Sequence, residues 1–235
     1  MASMMNIYSI LPQLPGVDAP ERTYTEQLAE AWAGSGIMRY PLVTCIVVGV
    51  AVIIWKFFDI LMKAGATRKI LREVDELLAQ QQIKEALELT RESNSPAANI
   101  LYAGLERRDE GTERVMKAIE NQGLIELSKL ERGLVVLATL TNIAPLMGFL
   151  GTVIGMIEAF QAIEFAGEVD ATTVAGGIKV ALYTTAAGLA IAIPISIVHN
   201  YFVSRIDHLV IDMEESAQKM IDALFVMQAG QEAGD

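Results

Sequence analysis

Two apolar stretches of the chain carry hydroxyls at a spacing that could do chemistry. In the first, Thr141, Pro145, Gly148, Thr152, Gly155 and Ala159 follow one another at alternating steps of four and three residues. In the second, Gly177, Ala181, Thr184, Gly188 and Ala192 recur at similar steps, flanked by Thr185 and Ser196. Steps of three and four keep residues on one face of an α-helix, so each stretch presents a stripe of small and polar side chains. Such a stripe has two compatible readings. Small residues let helix backbones approach closely, and a threonine can bond the carbonyl one turn back in its own helix. Alternatively, the stripe faces a cavity holding water or another polar helix.

Neither stretch offers a carboxylate that could hand a proton across. Gly133 to Ile157 and Val180 to Val198 contain no charged side chain. A buried, unpaired charge there would be expensive. Glu158 is the candidate accessory charge after Thr152, and Lys179 stands near the outer end of the second stretch. The competing reading of Glu158 is a carboxylate snorkelling to the outer interface. His199 and His208 are the only histidines, and their spacing gives neither a metal pair nor a triad. The chain is therefore expected not to be an enzyme, and neither a cofactor nor a metal is implied.

The elements that position these stripes must be membrane helices. Hydrophobic residues make up 52% of the chain, above the share of an ordinary soluble domain. About 20 apolar residues of helix cross a bilayer core, with every backbone amide satisfied inside its own segment. Both stretches reach that length. A third, Pro41 to Trp55, is extended past Lys56 and Asp59 by Phe57, Phe58, Ile60 and Leu61. The expected fold is all-α and integral to the membrane. Its three transmembrane helices lie at 38–61, 133–163 and 174–203, with long cytoplasmic extensions forming a helical bundle.

Charge sets the orientation. Lys56, Lys63, Arg68, Lys69 and Arg72 crowd the exit of the first span, whereas the loop at 164–173 has Glu164, Glu168 and Asp170 and no base. The positive-inside rule then makes 62–132 cytoplasmic and 164–173 periplasmic, with the N-terminus outside and the C-terminus inside. The net charge of −11 argues against a nucleic-acid partner, because phosphate binding needs clustered bases. The first sixteen residues lack a basic n-region, so no cleaved signal peptide is expected and the first span directs insertion. Cys45, the single cysteine, allows no intramolecular disulfide.

Outside the spans, residues 1–37 read as a periplasmic segment. Tyr24, Leu28, Ala31 and Trp32 in it suit a short amphipathic helix, either at the outer interface or against the protein's own surface. In 62–132, Ile70, Val74, Leu77 and Leu78 and then Ile83, Ala86 and Leu87 keep helical periodicity until Ser93-Asn94-Ser95-Pro96, where Pro96 can open the next helix. A further helix is expected to start at Thr112 and run through Ile119, Leu127 and Leu130 directly into the second span. Ile206, Leu209, Val210, Met213, Met220, Leu224 and Met227 give residues 204–235 a cytoplasmic helical stripe.

The spelling of the two stretches is specific. Ala144-Pro145-Leu146-Met147-Gly148-Phe149-Leu150-Gly151-Thr152-Val153-Ile154-Gly155-Met156-Ile157 resembles the PLLGLLGTVxGMI signature of the MotA/TolQ/ExbB proton channel family. Gly177-Ile178-Lys179-Val180-Ala181-Leu182-Tyr183-Thr184-Thr185-Ala186-Ala187-Gly188-Leu189, followed by Ala192-Ile193-Pro194, resembles that family's GIxxALxTTAxGLxxAIP stretch. The resemblance covers residues 130–207 and is nearest to the ExbB/TolQ branch. It implies a bacterial inner-membrane homo-oligomer, typically a pentamer. The ring would enclose two single-span partners of the ExbD/TolR kind, whose transmembrane Asp carries the proton, and a TonB- or TolA-like protein would receive the force. Threonines matching Thr152 and Thr185, and with less specificity Thr184, would line the path. The chain departs from many relatives at Val180, where they carry a Glu, so the resemblance implies no relay carboxylate of its own. Two other functions stay open: a MotA-like stator for flagellar or gliding motility, although such chains have four spans, and a non-conducting membrane scaffold.

Overall fold

Long apolar runs without internal breaks dictate long helices, because in lipid the backbone has only itself to bond. The computed structural model describes residues 36–167 and 170–232, with side chains through residue 226. The expected interfacial helix around Tyr24 and Trp32, Glu168, and the side chain of Met227 lie outside the described residues. Among those residues there are six α-helices: α1 (Arg39–Ala79), α2 (Ile83–Glu92), α3 (Pro96–Glu106), α4 (Thr112–Glu131), α5 (Leu134–Ala166) and α6 (Ala171–Glu232). No strand occurs among them. Helices α1, α5 and α6 are each long and apolar enough to cross a membrane. At about 1.5 Å per residue, the 41 residues of α1 and the 62 of α6 exceed a bilayer core of about 30 Å. Both helices therefore continue past the membrane.

The helices fall into two units. Among the described residues, the smaller comprises 36–42 at the start of α1 with 146–167 and 170–188, the C-terminal part of α5 and the N-terminal part of α6. Asp170 caps α6: its carboxylate accepts from the backbone N–H groups of Thr172 and Thr173 at 3.2 Å and from both threonine hydroxyls. These bonds satisfy donors that a helix start leaves unpaired.

The larger unit holds 43–145 and the described residues from 189 onward. Its core is a set of aliphatic side chains at helical spacing, including Ile70, Val74 and Leu78 of α1 and Ile206, Leu209, Met213 and Met220 of α6. Gly49 sits where a Cβ would come within 2.9 Å of Ile195 Cδ1. Helix α3 starts as expected, with the Ser95 hydroxyl accepting from Ala98 N–H at 3.2 Å and Pro96 at the first helical position. Helix α1 ends in a Schellman turn, with Gln82 N–H on Leu77 O and Gln81 N–H on Leu78 O. Gln81 takes the left-handed position at φ 61°, which glycine usually fills.

One expectation is corrected in this unit. The helix from Thr112 does not run on into the second span: α4 stops at Glu131 and α5 begins at Leu134. Between them Gly133 has φ 91°, and a Cβ there would come within 2.8 Å of the Trp55 ring. Lys56 secures the joint. Its side chain is wholly buried, and its Nζ donates to Leu130 O at 2.6 Å and to Asp59 at 3.2 Å. The Leu130 carbonyl belongs to the last turn of α4, where carbonyls lack helical partners and a cation is favoured. Asp59 also pairs with Lys63 at 2.9 Å. The positive-inside reading treats Lys56 as one more interfacial base, whereas the fold uses it as an internal clamp.

Two outcomes follow. Asp59→Asn leaves the buried Lys56 charge without its counter-ion and should destabilise the purified protein by about 3 kcal/mol. Lys56→Met removes the charge together with one bond and should cost less, about 1–2 kcal/mol. Denaturation in a fixed detergent checks that order. For Asp170, the bond from the Thr172 hydroxyl and then the other cap bonds hold the carboxyl below its ordinary pKa of 3.8. A depressed folded pKa gives stability that is fully present above the ordinary value and lost as pH falls through the folded one. Asp170→Ala should therefore lower the thermal midpoint at neutral pH, and the gap to the parent should close in acid below the carboxylate range.

Candidate functional site

The C-terminal part of α5 and the N-terminal part of α6 form an antiparallel pair whose seam is built from residues almost without side chains. On α5 the buried positions are Gly148, Gly151, Gly155 and Ala159; on α6 they are Ala181, Thr184 and Gly188, with Gly177 half-buried. A Cβ at Gly148 would lie 2.9 Å from Thr184 O and 3.1 Å from Thr185 Cα, and one at Gly151 would lie 2.6 Å from the Thr184 hydroxyl. Further along α5, Gly155 faces Gly177 O and Ala181 at 3.4 Å. Backbones this close gain dispersion contacts that larger residues would forbid, the usual source of helix association in lipid.

The seam sorts the threonines. Thr184 lies inside it, 1% exposed, with its hydroxyl donating to Ala181 O at 2.8 Å. This departs from the expectation that Thr184 lines a path, because Gly151 opposite leaves room only for a side chain enclosed by the pair. Thr185 and Thr152 each follow a seam residue, so each is turned about 100° out of the seam. Since the helices are antiparallel, both turns lead to the same side of the pair. Thr185 is half-buried and its hydroxyl donates across the seam to Gly148 O at 3.3 Å. Thr152 is half-exposed and its hydroxyl donates to Phe149 O at 2.6 Å. Gly148 lies at the level of Thr185, so Thr152 stands about one turn, roughly 6 Å, further along α5. Each hydroxyl keeps acceptor lone pairs and can exchange its donor bond by rotation.

Thr141 and Pro145 share the Thr152 edge of α5 and are half-buried. Thr141 donates to Leu137 O at 3.0 Å. Pro145 has no N–H, so the Thr141 carbonyl loses the donor it would have one turn on, which adds an acceptor to that edge. Ala192 is buried. Glu158 is exposed and, six residues beyond Thr152, falls about 120° round the helix and roughly 9 Å further along it. Lys179 is exposed and its Nζ sits 5.5 Å from the Tyr183 ring centre. Neither shares the Thr152 edge.

Gly151 and Ala144 were missed by the stripe reading, although both are buried. Their signal was legible: Ala144, Gly148, Gly151, Gly155 and Ala159 also run at steps of three and four, and Gly151-xxx-Gly155 is a close-packing spacing.

The family model that matches this sequence, the MotA/TolQ/ExbB proton channel family, covers residues 92–215, more than half of the chain. The chain belongs to that family. A putative biopolymer transport protein ExbB homolog of Methanothermobacter thermautotrophicus is 32% identical over 199 residues, 81% of this chain and 68% of that protein. The biopolymer transport protein ExbB of Pseudomonas putida is 30% identical over 211 residues, 82% of this chain and 63% of that protein. The Tol-Pal system protein TolQ of Pseudomonas aeruginosa is 38% identical over 101 residues, 43% of this chain and 42% of that protein. With three apolar helices, this member of the MotA/TolQ/ExbB family is a multi-pass inner-membrane protein.

The seam makes a contrast that thermal unfolding can read. Gly151→Ala must push the pair apart and should cost about 1–3 kcal/mol. Gly176, in the same helix pair, has nothing within 4 Å of a Cβ, and Gly176→Ala should be neutral or stabilising by up to about 1 kcal/mol.

Proposed function

We propose that this chain is the ring-forming, proton-conducting subunit of an inner-membrane motor. Protons move past Thr152 and Thr185 by way of an acidic residue on a single-span partner of the ExbD/TolR kind. Five copies enclose two such partners, and the force passes to a TonB- or TolA-like protein acting across the envelope in uptake or in envelope maintenance. The N-terminus is periplasmic and the C-terminus cytoplasmic. The role is one of transport, not catalysis.

One observation carries the reading: both threonines leave the seam on the same side, with acceptor capacity to spare and, among the described residues, no carboxylate bonded to them. Hydroxyls so placed need a titratable group from another polypeptide to move a proton, and family membership supports a partner of that kind. Thr184 serves the seam. Glu158 and Lys179, off the Thr152 edge, act at the outer interface.

A non-conducting scaffold is the second reading, favoured by the seam, since close packing alone explains Gly148, Gly151 and Gly155. It leaves the shared side of Thr152 and Thr185 without a purpose. A MotA-like motility stator would use the same site and differ only in the receiver of the force.

Proton flux into vesicles containing the chain with its partner separates these readings. Thr152→Val and Thr185→Val should each reduce partner-dependent flux at least about tenfold, a loss of roughly 1.4 kcal/mol from the barrier. Thr184→Val, nearly isosteric and enclosed, should retain most of it. Undiminished flux in both of the first two variants would contradict the proposal. Native mass spectrometry should also find the purified chain as a ring of several subunits, and a stable monomer would argue against assembly around a partner.

A further inference from the structure

The cation cluster at the exit of the first span does more than orient the chain. Below the apolar part of α1 and α6, the two helices enclose a groove of about 350 Å³ within the larger unit. Its lining is graded. At the end nearer the apolar runs it is formed by Phe57, Ile60 and Leu61 from α1 with Tyr201 and Phe202 from α6. Arg205 stands one turn beyond Tyr201, and Arg68 and His208 stand further along, with Asp212 at the foot. Gly65 lies between the two ends, and a Cβ on it would meet nothing within 4 Å, so the wall is open at mid-length. Phe57 and Tyr201 are about half exposed, and Tyr201, with a polar hydroxyl on an apolar ring, is of the kind enriched at the headgroup level.

Both arginines are exposed and neither forms an ion pair with a carboxylate among the described residues; Arg205 instead rests 5.8 Å from the Tyr201 ring centre. Two such guanidiniums over an apolar slot are unusual in a chain of net charge −11, and they match one ligand chemistry at both ends. An acyl chain fits against Phe57, Ile60 and Leu61, while a phosphodiester accepts from planar guanidinium forks. Basic pockets between membrane helices on the cytoplasmic side are suited to anionic headgroups.

We infer that the groove between α1 and α6 is a binding site for an anionic phospholipid of the cytoplasmic leaflet, its phosphate held by Arg68 and Arg205 and one acyl chain lying along Phe57, Ile60 and Leu61. Asp212 limits how far the headgroup descends, and the His208 imidazole can bond a glycerol or phosphate oxygen. The site is independent of the proposed proton path.

The full-length protein in dodecyl maltoside micelles, titrated with dioleoylphosphatidylglycerol or dioleoylphosphatidylcholine and read by native mass spectrometry, tests this. The parent should retain the anionic lipid in preference to the zwitterionic one. Arg68→Gln with Arg205→Gln should weaken that retention about thirtyfold, from two basic contacts of about 1 kcal/mol each. The corresponding double Lys variant should keep most of it, and Arg72→Gln, outside the groove, should change nothing. Gly65→Phe, whose Cβ meets nothing within 4 Å and whose ring is directed to the slot, should abolish retention while leaving the thermal midpoint in place. Equal retention of both lipids, or unchanged retention in the double Gln variant, would overturn the proposal. So would complete displacement by millimolar inorganic phosphate, which would mark a free-anion site. Lipid loss that only tracks a change in subunit number would assign the groove to a second copy of the chain.

Discussion

The close approach of α5 and α6 at Gly148, Gly151 and Gly155 is the constraint on which the candidate site depends. Lipid gives two apolar helices little reason to associate, because hydrocarbon solvates Leu and Val as well as another helix does. Contact has to come from fit, and backbone against backbone is the tightest available. Once Gly151 has drawn the Thr184 hydroxyl to within 2.6 Å of where a Cβ would stand, helical geometry fixes the rest. The residue after each seam position must turn out of the seam, and antiparallel direction brings those residues to one side. Two glycine-framed threonines thus acquire a common orientation without any direct contact between them.

Hydrogen bonding within this arrangement is economical. Thr184 spends its hydroxyl inside the pair, on Ala181 O, and is enclosed. Thr185 spends its donor bond on the opposite helix, which ties orientation to the seam itself. Thr152 bonds its own preceding turn and remains half-exposed. Three residues of one type therefore have three surroundings, and in the proposed channel only the last two face a partner. In the larger unit the same accounting explains Lys56. A buried ammonium is tolerable there because it meets both a carboxylate and a carbonyl from the end of α4 that would otherwise lack a donor.

Much of the fold was legible in the sequence, because membrane helices announce themselves by length and by the absence of charge. The three apolar runs, the start of α3 at Ser95-Pro96 and the continuation of α6 below its apolar part could all be read from periodicity and capping residues. The break at Gly133 could not, since a glycine between Arg132 and Leu134 looks the same whether or not the backbone turns there. Its cause is distant in sequence: the Trp55 ring and the Lys56 clamp. The seam between α5 and α6 was legible to within one helical position. Small residues at steps of three and four satisfy more than one face, and Gly151 and Ala144 belong to a face that overlaps the threonine stripe. Only the partner helix decides which of the two is the seam. Thr184 and Thr185 illustrate the same point, being adjacent in sequence and alike in chemistry but separated by about 100° around α6.

The central claim is that the Thr152 and Thr185 side of the pair faces a protein interior, not lipid. Nitroxide labels on single cysteines in a Cys45→Ser background, with the protein assembled with its partner in native membranes, report this through collision with oxygen, which concentrates in lipid. Labels at Thr152 and Thr185 should show low oxygen collision rates compared with labels at Leu146 and Leu150, which are 65% and 44% exposed and lie away from the seam. Rates at Thr152 and Thr185 as high as those at Leu146 and Leu150 would contradict the account.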